Sequence, residues 1–211
     1  MPRSTQRPSS SARGERTRAA IMRAATSVFA RHGYQGGPLA AVATAPDMTQ
    51  PGVLHHFASK EHLLMAVLEE RDRDGTRRLE AGTWNDGGGA ALDALQELVD
   101  HNTTTPELVQ MFTVLVGESV AADHPARPFF TDRYAHLRYR TTRAIQRGQD
   151  RGEFRTDADA AELASLVLAV MDGLQIQWLL CPEIDMSTRF ATFVDMMKRF
   201  LAPDPPAGSG A

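Results

Sequence analysis

Apolar residues recur at three- and four-residue intervals along almost the whole chain, the period of a helix with one buried face. Ile21, Ala25, Val28 and Phe29 form one stripe; Leu64, Val67 and Leu68 form another. Leu92, Leu95 and Val99 follow, then Leu108, Met111, Phe112, Leu115 and Val116, then Phe130, Tyr134, Leu137 and Thr141. Two final stripes hold Leu163, Leu166, Val167, Val170, Met171 and Leu174, and Phe190, Phe193, Val194, Met197 and Phe200. No alternating strand pattern and no internal repeat is visible. The pattern predicts an all-α protein of about nine helices.

The breaks are equally legible. Gly33, the Gly36-Gly37-Pro38 cluster and the turn Pro46-Asp47-Met48 divide the first sixty residues into three helices, the last two short. Ser59 before Lys60-Glu61 reads as the N-cap of a fourth helix reaching to about Trp84. Gly87-Gly88-Gly89, Thr103 to Pro106 and Asp123 to Pro128 are predicted loops, and Pro128 opens a long helix ending near Gly148 and Gly152. The last two helices are predicted over Asp157–Leu180, closed by Cys181-Pro182, and over Met186–Leu201. Residues 1–13, rich in Ser, Pro and Arg, are expected to be a disordered basic arm, and residues 203–211 a disordered tail. Between them lie a head, 14–60, laid out as a helix-turn-helix, and a helical body, 61–202.

Composition narrows the function. With 211 residues, 42% hydrophobic and 23% charged, the chain has ordinary globular usage and enough length for a sizeable core. The net charge of −3 hides an asymmetry. Residues 1–60 hold eight Arg and Lys against two Asp and Glu, a net of +6, while the remainder holds 15 against 24, a net of −9. A basic head on an acidic body points to a polyanion as the partner of the head. The single cysteine, Cys181, excludes a disulfide framework and a multi-cysteine zinc site. The run Leu163 to Leu180 has spanning length, but Asp172, Gln175 and Gln177 interrupt it, so it reads as a buried helix. No apolar leader follows the opening arginines, and the expected location is the cytoplasm. Nothing suggests an enzyme. There is no glycine-rich phosphate loop, G-x-S-x-G elbow or H-E-x-x-H, and Asp157 and Asp159 suit a helix start. Nor is a cofactor or metal expected: His55 and His56 diverge by about 100° on a helix and cannot chelate together.

In a helix-turn-helix the second short helix enters the major groove. Thr49 caps it here, Gln50 and Pro51 follow, and Gln50 can offer a paired donor and acceptor to an adenine edge. From Thr17 through Ala25, Phe29, Gly33-Tyr34, Leu39, Val42-Ala43, Thr49, Val53-Leu54, His56-Phe57 and Ser59-Lys60-Glu61 to Leu64, the segment resembles the DNA-binding domain of the TetR family of transcriptional regulators. Three positions depart from the family pattern. Gly37-Pro38 replaces Thr-Ser before the second helix, Asp47 replaces a turn glycine, and Leu54 replaces a tyrosine. Phosphate contact is therefore expected from the Gly37 backbone, the start of the fourth helix and Lys60. The expected DNA-binding set is Arg16, Arg18, Gly37, Thr49, Gln50, Pro51, Gly52, His55 and Lys60.

The resemblance implies a homodimeric repressor that binds a pseudo-palindromic operator in double-stranded DNA and is released by a small-molecule effector. Met111, Phe112, Met171, Gln175 and Trp178 are the candidate contacts for a mainly apolar effector. Leu163, Val167, Val170, Phe190, Phe193, Met197 and Phe200 are the expected dimer interface. The competing expectation is a helical scaffold or small-molecule-binding protein without specific DNA binding. It leaves the basic head unexplained.

Overall fold

The computed structural model describes residues 10–43 and 48–203, and these are helical throughout, with no strand among them. The head contains α1 (Ser10–Gly36), α2 (Leu39–Val42) and α3 (Gln50–His56). The body follows with α4 (Lys60–Ala81), a 3₁₀ turn (Thr83–Asp86), α5 (Gly88–Thr103), α6 (Pro106–Glu118), α7 (Arg127–Asp150), α8 (Ala160–Leu180) and α9 (Met186–Leu201). Helix starts follow local chemistry. The side chains of Thr49, Ser59, Asp159 and Asp185 each accept a backbone N–H of the first turn, and α6 and α7 carry a proline there.

Two boundaries differ from the sequence expectation. The helix of the head begins at Ser10, so Arg13 lies in α1 and only 1–9 of the expected arm fall outside the described residues. The turn residues Pro46 and Asp47 also lie outside them, as does the tail from 204 onward. Helix α5 starts inside the predicted glycine loop, where Glu153 accepts the Gly89 N–H at 2.6 Å.

Two apolar cores divide the molecule. One joins Leu92, Leu95 and Val99 of α5 to Ile145, Val167, Phe190 and Val194, with Trp84 at its edge. The other joins Ile21, Phe29, Val42 and Val53 of the head to Leu63, Leu64 and Leu68 of α4 and to Met111, Phe112 and Leu115 of α6. Residues 14–60 therefore do not close their own core: α6 covers the face that α1 leaves open. Helix α4 enters both cores, through Leu63 to Leu68 at one end and Leu79 at the other.

The expected dimer stripe is redistributed by this packing. Leu163, Val167, Phe190 and Met197 are buried within the subunit, and Val170 and Phe193 are partly buried against the same core. Phe200 alone of the set stays open, at 53%. The exposed apolar face instead runs along Leu166, Ile176 and Leu180 of α8 and Met196 and Phe200 of α9. Helix α8 is apolar all round, so periodicity could not say which of its faces meets α7 and α9.

Phe190 sits fully inside the body core. Phe190→Ala is expected to cost about 3–5 kcal/mol in denaturant unfolding. A loss below 1 kcal/mol would show that the core collapses around the gap.

Candidate nucleic-acid interface and its joint to the body

Helix α3 is held by its buried side. Val53 and Phe57 face the head core, and the Thr49 hydroxyl accepts the Gly52 N–H at 3.2 Å, fixing the first turn. That orientation leaves Gln50, Pro51, Leu54 and His55 exposed on the other side, at the i, i+1, i+4 and i+5 positions of one face. Gln50 and His55 thus stand where the sequence reading put them relative to solvent. Leu54 joins them at 40% exposure, an apolar tip among polar neighbours. The rings of His55 and His56 meet edge to face at 5.4 Å.

Other members of the expected set take different positions. Arg16 and Arg18 lie in the first half of α1, and the Arg18 guanidinium is 4.3 Å from the Phe57 ring, beside the end of α3. Gly37 is buried, and a Cβ there would come within 2.8 Å of both the Gly33 carbonyl oxygen and Val28 Cγ1. Its smallness serves packing, which argues against the expected phosphate contact from its backbone. Lys60 opens α4 with its ammonium 4.4 Å from the Tyr34 ring. Burial lowers its pKa, and the Glu118 carboxylate opposes that shift.

Glu118 leads to a joint the sequence reading missed. Helix α1 breaks at Gly33, whose φ of 65° lies in the left-handed region. The Tyr34 N–H freed by the break donates to Glu118 Oε2 at 2.7 Å, across from the last turn of α6. His124 stands behind, 4% exposed, with Nε2 3.5 Å from the same oxygen and its ring edge-on to Tyr34 at 5.3 Å. His124 Nδ1 accepts the Ala126 N–H at 3.2 Å, which places the imidazole proton on Nε2, facing Glu118. One signal was present in the sequence. Glu118 is an acid at a helix C-terminus, where the dipole disfavours it, so it needs a partner elsewhere.

The effector candidates do not come together. Met111 and Phe112 belong to the core of the head, while Met171 belongs to the body core, with Trp178 partly buried against it. Gln175 is buried at 7%. A cavity of about 50 Å³ does lie inside the body, and Met171 is the one of the five that lines it. Arg71, Arg133 and Trp84 line it too. Asp172, which interrupts the apolar run of α8, accepts the Tyr134 hydroxyl at 2.6 Å.

Residues 21–67 match the family of bacterial regulatory proteins of the tetR type, and residues 89–202 match the C-terminal domain of BetI-type transcriptional repressors. The chain belongs to the TetR family. Its members are transcriptional regulators that bind DNA, not enzymes. The repressor AcnR of Corynebacterium efficiens is 27% identical over 159 residues, 74% of this chain and 79% of the relative. A transcriptional regulator from Saccharomonospora viridis, in complex with choline, shares the fold with a TM-score of 0.71 at 25% identity, covering 86% of this chain and 96% of that one. SmeT, the repressor of a Stenotrophomonas maltophilia multidrug efflux pump, gives a TM-score of 0.71 at 21% identity over 94% of this chain and 96% of that one.

Two outcomes test this TetR-family geometry. An alanine at position 33 would place its Cβ 1.9 Å from Glu118 Oε1 in addition to holding a left-handed backbone. Gly33→Ala should cost roughly 1–3 kcal/mol from strain alone and accelerate hydrogen exchange at Tyr34. Unchanged exchange there would remove the joint from the argument. Asp172 is pushed above the usual carboxylate range, chiefly by burial and against the pull of Tyr134, Arg133 and Arg71. A raised folded pKa means that ionising Asp172 costs stability, which is fully present below the ordinary value of 3.8 and lost as pH rises through the folded value. Asp172→Asn, which keeps an acceptor for Tyr134, should melt higher than the parent at pH 7, with the gap closing as pH falls toward 4. A lower melting temperature at pH 7 contradicts this sign.

Proposed function

We propose that this protein is a dimeric transcriptional repressor that reads a pseudo-palindromic operator with α3 and is released by a small molecule bound in the body. The observation that carries it is the exposed Gln50-Leu54-His55 face of α3, fixed by the Thr49 cap. Gln50 supplies the paired donor and acceptor for a base edge, and Leu54 is suited to a thymine methyl. Arg16, Arg18 and Lys60 flank that face as phosphate contacts. DNA as the partner makes the cytoplasm the site of action.

Dimerisation has its own support. Only 28% of the apolar window of α8 is buried within the subunit, although the helix is apolar enough to avoid water. Leu180 is exposed at 76%, Met196 at 63% and Leu166 at 56%, forming one face across α8 and α9. A second copy related by a twofold axis would cover that face and set two heads about 34–36 Å apart or a multiple of it. Release follows from α4, which passes from the core of the head to the body cavity. A ligand that shifts its tilt changes the spacing of the heads, and a hundredfold preference for the released state corresponds to about 2.7 kcal/mol per site.

The substitutions separate the roles. Gln50→Ala should cost roughly 1–3 kcal/mol on operator selected from a random pool and relax sequence choice, with little effect on random DNA. Equal loss on both would move the reading contact elsewhere. Lys60→Ala should weaken all sequences alike and reduce the salt slope by about one unit. Leu180→Glu should give monomers in sedimentation and abolish tight operator binding; a stable dimer carrying that change would displace the interface from α8.

A further inference from the structure

Three hollows lie along α4 and share lining residues. A groove of about 500 Å³ opens between α1, α4 and the start of α6, with Ala19, Met22, Thr26, Val67 and Leu108 among its walls. A second, of about 20 Å³, is lined by Asp74, Gly75, Leu108 and Val109, and the third is the inner cavity of about 50 Å³ lined by Trp84 and Leu95. Arg71 lines all three. The inner space holds only a few waters, so anything larger must displace α4 or its neighbours.

Among the described residues that line the inner cavity, the charged side chains other than Arg71 are in ion pairs. Arg133 Nε donates to Asp72 Oδ1 at 2.6 Å, Arg140 lies 3.3 Å from Glu80, and Arg77 and Arg78 hold Asp74 at 3.2 and 2.9 Å. Asp172 is taken by Tyr134. Arg71 has the Phe112 ring at 4.2 Å, and among the described residues no carboxylate pairs with it. Arg133 lies over the same ring at 4.6 Å, adding like charge. Burial first and Arg133 second pull the Arg71 pKa down to about 10, against the opposing charges of Asp72, Asp172 and Asp74, so the guanidinium remains protonated at neutral pH. Arg71 is half-buried, its neighbouring carboxylates are held by other partners, and its fork of N–H donors matches a carboxylate.

We infer that Arg71 is the anion-recognition group of the effector site and that the effector is a small organic carboxylate. Its charged end meets Arg71, and its apolar part lies toward Trp84, Leu95 and Met171. This rests on the reading of the body as an effector domain, and it replaces the mainly apolar effector expected from sequence. The apolar walls favour an organic anion over inorganic phosphate, and the unpaired guanidinium disfavours a quaternary ammonium such as the choline of the Saccharomonospora viridis protein.

The test uses the full-length protein with benzoate, 4-phenylbutyrate and octanoate, each beside its primary amide, and with choline and inorganic phosphate. Thermal melting reads binding, and a mobility shift on DNA selected from a random pool reads release. The expected result is that a carboxylate raises the melting temperature while its amide, choline and phosphate do not. Arg71→Gln should weaken carboxylate binding by about tenfold or more, and Arg71→Lys by less. Unliganded R71Q should melt no lower than the parent, since it loses a partly desolvated charge that no carboxylate contacts directly. The inference is overturned if no carboxylate stabilises the unaltered protein more than its amide does. It is equally overturned if R71Q responds like the parent, or if unliganded R71Q melts far lower, which would make Arg71 a structural group. Carboxylates that bind without releasing DNA would support the anion site and defeat the release reading. Release by choline or by the amides alone would do the reverse.

Discussion

The packing of α1 on α6 is the constraint on which the rest of the molecule depends. Two short helices cannot cover Ile21, Ala25 and Phe29 of α1 by themselves, and an uncovered apolar face of that size is unstable in water. Met111, Phe112 and Leu115 close it, at the cost of tying the head to a helix of the body. The recognition helix is therefore positioned by residues sixty places away in sequence. A head that stood free would have no mechanical connection to the body except α4.

The polar chemistry at that seam is a consequence of the same packing. Breaking α1 at Gly33 leaves a main-chain N–H without its helical acceptor in a half-buried place, and such a group must find another. Glu118 provides it, and Tyr34, His124 and Lys60 gather around the carboxylate. A charge-assisted bond to main chain holds angle as well as distance, so the last turn of α6 and the entry to α2 move together. With α4 as the second connection, the head has two attachments to the body. A change that slides α4 past α6 alters the pose of α3 without unfolding either core.

The interior of the body trades stability for chemistry. Arg71, Arg133 and Asp172 occupy space that leucine could fill with less penalty, and the pKa shifts of Arg71 and Asp172 show burial acting against the charged form in both. Around them the core is ordinary, which confines the polar cluster to the region where α4, α6, α7 and α8 meet. On the outside of α8 and α9 the logic is reversed: apolar groups are left in water because another surface is meant to cover them.

Much was determined by sequence alone. Helical period, proline and glycine punctuation, and the caps at Thr49 and Ser59 are local properties, read from neighbours a few residues apart, and they set the helices of the fold. Gln50 was singled out by its place after the Thr49 cap, and the burial of Val53 and Phe57 in the head core is what leaves it exposed. Tertiary structure alone decided which stripe each apolar helix buries. Phe190 and Met197 looked like an interface, yet α5 claims them, and Phe200 was left outside. Gly37 looked like a phosphate contact until Val28 and the Gly33 carbonyl proved to need its missing side chain. Arg71, within the charged run Glu69 to Asp74, reads as one more solvated residue. Its lack of a direct partner depends on Arg133 and Tyr134 of α7 taking Asp72 and Asp172, and no spacing within one helix records that competition.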